Sequence, residues 1–164
     1  MDGTWTRKGG CRCGRVRLRV TAPPMLTMAC HCTGCQRMTA SAFSLSAAFP
    51  PDALEITAGE PEVGALRKSE HRHMYCGWCK TWLFTRIEGA PFVNVRTPAL
   101  DDSSGLEPFI ETQLAEKLPW ATTPAAHGFD HWPPQDAFGP LIAEYAARRA
   151  AQQRSGMSDS TTRS

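Results

Sequence analysis

The chain has 164 residues, 41% hydrophobic and 21% charged, with a formal net charge of +2. That is enough material for one domain with its own core, and no run approaches the roughly 18 apolar residues of a membrane span. The opening Met1-Asp2-Gly3-Thr4-Trp5 lacks the basic flank and apolar stretch of a signal peptide, so the expected compartment is the reducing cytoplasm, where thiols persist.

Thirteen Gly and thirteen Pro are many for this length. They predict a mainly β chain of short strands and turns rather than a helical bundle. Arg15 to Val20 alternates strictly, with Val16, Leu18 and Val20 on one face, which is the pattern of a half-buried strand. Pro23-Pro24 ends it. Gly34 to Met38 predicts a short helical turn. Ser41 to Phe49 and Leu54 to Thr57 read as strands separated by Pro50-Pro51, and Gly59-Glu60-Pro61 as a turn. Val63 to Leu66 and Glu70 to Tyr75 are short strands. Thr81 to Ile87 and Phe92 to Val95 form a hairpin around Glu88-Gly89-Ala90. Asp101 to Gly105 is loop and Phe109 to Gln113 a weak strand. After Leu118 the composition changes. Pro119, Pro124, Pro133 and Pro134 break the backbone, and Trp120, Phe129 and Trp132 are expected to anchor a segment draped over the core. Gly139-Pro140 opens a helix with Leu141, Ile142, Tyr145 and Ala146 as its apolar stripe. Gln152 to Ser164 has the composition of a disordered tail. No internal repeat is visible.

All seven cysteines fall in three clusters: Cys11-Arg12-Cys13, Cys30-His31-Cys32-Thr33-Gly34-Cys35 and Cys76-Gly77-Trp78-Cys79. Cysteines serving as small core residues would be scattered, and an odd number fits a closed disulfide framework badly. C-x-C and C-x-x-C spacing suits a soft, tetrahedral, thiolate-bound metal, zinc above all. The thiols divide into four and three. Cys11, Cys13, Cys76 and Cys79 can close a structural Cys₄ site across about sixty residues. Cys30, Cys32 and Cys35 would leave a fourth position open, the pattern of a catalytic zinc. Other partitions are compatible with the spacing, as are redox-active thiols without metal and a second structural zinc closed by a histidine. With two zinc ions per chain and seven thiolates, the net charge falls from +2 to about −1. The basic balance is therefore no argument for nucleic acid or membrane, and neither is expected as a partner.

These clusters with their neighbours resemble the glutathione-dependent formaldehyde-activating family, whose domain is shared with centromere protein V. The matching pieces are Gly10 to Val16 (GCRCGRV), Cys30 to Arg37 (CHCTGCQR), Ser41-Ala42-Phe43, Cys76 to Cys79 with Thr81, and Leu100-Asp101-Asp102. The match extends over roughly residues 5–120. It implies the Mss4-like fold, a twisted β-sheet "tent" held by zinc, over residues 1–118. It also implies structural zinc on Cys11, Cys13, Cys76 and Cys79, and active-site zinc on Cys30, Cys32 and Cys35. Residues 119–149 are then an extension packed on that domain, and 150–164 the tail. Two positions depart from the family pattern: Ala40 and Lys80 stand where it carries Gly, and both are expected at the pocket rim.

Other candidates are weaker. His31, between two thiols on extended backbone, points its ring away from the metal face and reads as a residue supporting the ligands, with a proton donor as the alternative. His127 and His131 have H-x₃-H spacing that could cap a three-thiolate zinc, but no helix holds them on one face. His71 and His73 share a strand face and read as surface polar positions. Asp101 and Asp102 read as a turn before a general acid, and Arg37 reads equally as a substrate-carboxylate ligand or a helix-surface arginine. The expected function is a zinc-dependent carbon–sulfur lyase-like enzyme that joins a small thiol such as glutathione to formaldehyde or a related aldehyde. The alternative is a non-catalytic zinc-stabilised binding module. The sequence names neither the thiol, the aldehyde, the proton donor nor the oligomeric state.

Overall fold

The computed structural model describes residues 5–65 and 70–159, with side chains as far as Arg154. Its elements are, in order, β1 (Arg7–Gly10), β2 (Arg17–Val20), β3 (Leu26–Cys30), α1 (Thr33–Thr39), β4 (Ser44–Phe49), β5 (Leu54–Ala58), β6 (Pro61–Val63), β7 (His71–Cys76), β8 (Trp82–Ile87), β9 (Val93–Arg96), β10 (Ile110–Thr112), β11 (His127–Gly128) and α2 (Phe138–Asp159). The chain is mainly β, as its turn-rich composition predicts. Strands β1, β2 and β5 form a small antiparallel sheet. The other eight form a larger one in the order β11-β10-β3-β4-β9-β8-β7-β6. That sheet is antiparallel from β3 to β6, and β10 joins β3 and β11 in parallel.

The main core fills the space between the two sheets. Leu18, Val20 and Leu54 come from the small sheet, Val16 from the turn just before it, and Ala47, Phe49, Leu83, Val93 and Val95 from the large one. The strict alternation of Arg15 to Val20 does what it predicts, since Val16, Leu18 and Val20 are buried. Strand β3 escapes that logic. All five of its residues are buried, so Leu26-Thr27-Met28-Ala29-Cys30 shows no alternation, and Met and Ala are poor strand formers.

The large sheet has a second face. Along β4, Ala47 and Phe49 turn to the core, and Ser44 and Ser46 turn the other way. Along β9, Val93 and Val95 turn in and Asn94 and Arg96 out. Ser44, Ser46, Thr85, Asn94 and Arg96 are nevertheless all buried. A buried sheet face with polar residues where aliphatics would stabilise it marks the place for a site.

The chain divides into two compact units, one up to Trp132 and one from Pro133. In the first, residues 119–132 return beside the sheet and β11 adds to β10. In the second, a 3₁₀ turn at Gln135–Ala137 leads into α2. Pro140 falls in the first turn, where an N–H has no acceptor to lose. The helix continues to Asp159, past the start of the tail expected to be disordered, because Ala, Arg and Gln in this stretch are good helix formers. Leu66, within an expected strand, lies outside the described residues, as do 160–164. Among the described residues no helix is long and apolar enough to cross a membrane.

Candidate metal centres and an adjoining cavity

Cys11 and Cys13 lie on the turn that follows β1, where the Gly14 N–H returns to the Cys11 carbonyl and Gly14 takes a φ of 77°. Cys76 ends β7, and the Lys80 N–H folds back to its carbonyl, which brings Cys79 round beside it. The four sulfurs lie within 4.8 Å of one another, with Cys11 3.5 Å from Cys13 and Cys13 3.8 Å from Cys76. A tetrahedral zinc with bonds of about 2.3 Å sets its sulfurs about 3.8 Å apart, so the spacing fits. The local hydrogen bonds favour thiolate at Cys11, despite its burial, and at Cys79, whereas at Cys13 the Arg15 backbone bond is outweighed by desolvation and the neighbouring sulfurs, which push the thiol up to about 11. The Val16 N–H donates to the Cys11 sulfur at 3.2 Å. The Thr81 hydroxyl accepts from the Arg12 N–H and lies 3.2 Å from the Cys79 sulfur. Its bond and that of its backbone lower the Cys79 thiol to about 5.

Cys30, Cys32 and Cys35 form the second set, again within 4.8 Å of one another. Cys30 ends β3. Cys32 caps α1, its sulfur accepting the Cys35 N–H at 3.3 Å. The hydrogen bond shared by Cys30 and Cys35 pulls the Cys30 thiol down and pushes that of Cys35 up, and burial raises Cys32. One thiolate is thus stabilised at the expense of the next, so all three ionise together only with a cation among them. Both donor sets suit zinc. Among the described residues no histidine or carboxylate joins either group.

The segment 111–117 clamps the second set. His31 is completely buried, and its Nε2–H donates to the Glu111 carboxylate at 2.9 Å, which also accepts from Lys117 Nζ at 3.0 Å. Glu116 accepts from the Thr33 N–H at 2.6 Å and from the Thr33 hydroxyl. The Gln36 side chain donates to the carbonyls of His31 and Glu116. The His31 ring therefore holds the loop from behind.

The three thiols open onto a cavity of about 530 Å³. Its floor is the polar face of the large sheet: Met28, Ser44, Ser46, Asn94, Arg96 and Thr85. Trp82, Ile87, His71, His73, Met38 and Trp132 complete the walls. Arg96 stacks its guanidinium 3.9 Å from the Trp82 ring, and the His73 ring meets the same indole edge-on at 5.1 Å. Burial, and then the Arg96 charge, lower the His73 imidazole to about 4, so it is neutral at pH 7.

Several expectations change here. His71 is exposed, as expected, and stands at the cavity edge, whereas His73, also read as a surface position, is half-buried in the cavity wall. Arg37 also lines it. Asp101 pairs with Arg17, and Asp102 pairs with Arg7 at 2.6 Å while accepting the Ser104 N–H, as turn residues do. His127 packs on Phe109, and neither it nor His131 reaches the three thiols. Ala40 and Lys80 do not line the cavity. Of the three expected anchors only Phe129 is half-buried; Trp120 is 72% and Trp132 46% exposed. The segment is held by backbone bonds instead, from Phe129 N–H to the Glu111 carbonyl and from Ala126 N–H to that of Phe109. Ser44, Ser46, Asn94 and Arg96 were absent from the sequence reading. Their alternation put them on one strand face, and nothing in it said that this face is covered.

Fold and site together define a mainly β protein with one closed set of four cysteines and one set of three opening onto a cavity. A family model described as glutathione-dependent formaldehyde-activating enzyme matches residues 6–116, and the chain belongs to that family. Two curated fungal relatives each carry the name "Putative glutathione-dependent formaldehyde-activating enzyme". The one from Emericella nidulans is 29% identical over 112 residues, 64% of this chain and 55% of its own length. That from Penicillium rubens is 32% identical over 104 residues, 58% and 53%. The chain thus spans about half the length of the curated relatives it matches. A crystal structure of a Rhodobacter sphaeroides protein is 19% identical, with a TM-score of 0.49 over 60% of this chain and 91% of that one.

Proposed function

We propose that this chain is a zinc enzyme of carbon–sulfur bond formation and cleavage, joining a small thiol such as glutathione to formaldehyde or a related aldehyde. The observation that carries this reading is the contrast between the two thiol sets. Four close on one another, whereas three open onto a cavity and have no fourth protein ligand among the described residues. The names of the relatives suggest the substrates.

In this reading Cys11, Cys13, Cys76 and Cys79 hold a structural zinc and Cys30, Cys32 and Cys35 a second one. A zinc ion on Cys30, Cys32 and Cys35 would leave an open position and would favour the thiolate form of an incoming thiol at neutral pH. The protein's own part is positional. The clamp of His31, Glu111 and Gln36 fixes the loop that carries the three sulfurs. Met28, Met38, Trp82 and Ile87 keep bulk water from the space beside them, and the polar floor orients the rest of the thiol. In the reaction RSH + CH₂O → RS–CH₂OH the sulfur attacks the carbonyl carbon, the C=O π pair moves to oxygen, and the proton shed by the thiol is replaced by one taken up at the new hydroxyl. Holding sulfur and carbonyl together supplies proximity.

NMR exchange spectroscopy of glutathione with formaldehyde tests this, following adduct formation with and without zinc-loaded protein. Faster exchange is expected. If neither glutathione nor any other small thiol is accelerated by protein carrying two zinc ions, the enzyme reading fails and a zinc-stabilised binding module replaces it.

A further inference from the structure

Arg96 is the only buried lysine or arginine among the described residues, with 7% of its surface exposed. Its Nη1 donates to Ser44 Oγ at 3.2 Å and its Nη2 to Thr85 Oγ1 at 3.4 Å. Its Nε has no partner. Both acceptors are neutral hydroxyls, and the described ion pairs leave this guanidinium without a carboxylate. Arginine keeps its charge inside a protein, and a buried charge with no counter-charge is costly.

The negative groups within reach are thiolates. Ser44, which accepts from Arg96, stands directly opposite Cys30 where β4 pairs with β3. Arg96 lines the same cavity as Cys30, Cys32 and Cys35, so thiolates there would face its charge. A divalent metal on three thiolates carries one net negative charge, and Arg96 cancels it. A further anionic sulfur would otherwise bring the centre to two negative charges in a partly dry cavity.

We propose that Arg96 is the charge-compensating residue of the open centre, making its fourth position select an anionic sulfur ligand over a neutral one. The inference rests on the reading of Cys30, Cys32 and Cys35 as a metal-holding set. It gives the buried cation a purpose, and it makes Arg96 a positioning residue that acts through its charge.

The test uses the full chain loaded with cobalt(II), whose visible absorption reports ligand changes at the open centre. 2-Mercaptoethanol, which binds as a thiolate and has no carboxylate, is compared with imidazole, a neutral ligand. In the wild type mercaptoethanol binds with about one proton released per thiol, read by calorimetry in two buffers. Arg96→Met weakens mercaptoethanol about tenfold or more and leaves imidazole within about twofold. Arg96→Lys restores most of the thiol affinity. Arg96→Gln, which can keep a bond to a hydroxyl but lacks the charge, behaves like Arg96→Met and serves if that variant does not fold. Wild-type protein that takes imidazole but rejects mercaptoethanol overturns the proposal without any variant. So does equal mercaptoethanol affinity in wild type and in a folded neutral variant; this removes the role of Arg96 and leaves the open centre standing. If the three-thiol set takes up no cobalt, or neither ligand alters the spectrum, the open-centre reading itself fails.

Discussion

Ala40 and Lys80 have φ angles of 49° and 57°. This is the left-handed region, where a Cβ crowds the following carbonyl at about 1–2 kcal/mol. Ala40 caps the C-terminus of α1, its N–H bonded to the Gln36 carbonyl, and Lys80 closes the second cysteine turn. Glycine at either position would meet without strain the backbone demand that this chain meets with it. Ala40→Gly should stabilise the fold by about 0.5–1 kcal/mol, less than the full strain because glycine also loosens the unfolded chain; a denaturant titration reads it. Glu111 raises a different demand. Its burial would raise the carboxyl, but bonds from Lys117 and His31 outweigh that and hold it below the usual range. Glu111→Gln should cost about 1–2 kcal/mol at pH 7. A folded-state value below the unfolded one means that this stability is complete above the ordinary glutamate value and is lost as pH falls through the folded one. The gap between wild type and variant should therefore narrow below about pH 4. A gap that stays constant to pH 3 would show that the carboxylate charge contributes nothing.

The two cysteine elements differ in what each holds together. The Cys11 and Cys76 turns come from different sheets, β1 from the small one and β7 from the large one, so a metal on their four sulfurs ties the sheets to each other. Cys76→Ser should release that metal and unfold the domain, since a structural zinc supplies on the order of 10 kcal/mol or more of folding free energy. Zinc content and a melting curve report both. The Cys30–Cys35 loop is already held by Glu111, Glu116 and Gln36. Cys32→Ser should therefore lose one zinc per chain, leave the melting transition within a few degrees, and abolish the adduct-forming activity. Unfolding of Cys32→Ser would show that the three-thiol set is structural too.

For the whole molecule, every proposed ligand lies between Cys11 and Cys79 and every residue lining the cavity lies before Pro133. A chain ending at Trp132 should keep both metal equivalents and a cooperative melt. A chain ending at Leu118 also loses β11 and the Trp132 wall, and should bind its thiol more weakly. Metal analysis and thiol titration of the two truncations separate these outcomes.

The convergence of thiols within each cysteine motif was legible because ligand spacing is local, but spacing left open which motifs meet, and the tertiary structure brings Cys11 and Cys13 to Cys76 and Cys79. Most antiparallel strands were legible for the same reason, since alternation in Arg15 to Val20 and breakers such as Pro50-Pro51 act within a few residues. Strand β3 was not, because burial on both faces removes the alternation that would reveal it. The cavity was not legible either. Ser44, Ser46, Asn94 and Arg96 have the spacing of a solvent-facing strand edge, and the cavity they line is closed by residues far off in sequence, among them Met38 of α1, Trp82 and Trp132. A sequence determines which residues share a face. Whether that face meets water or a site depends on chain folding back from dozens of residues away, and here that folding puts a buried Arg96 with no carboxylate partner into the same cavity as three thiols.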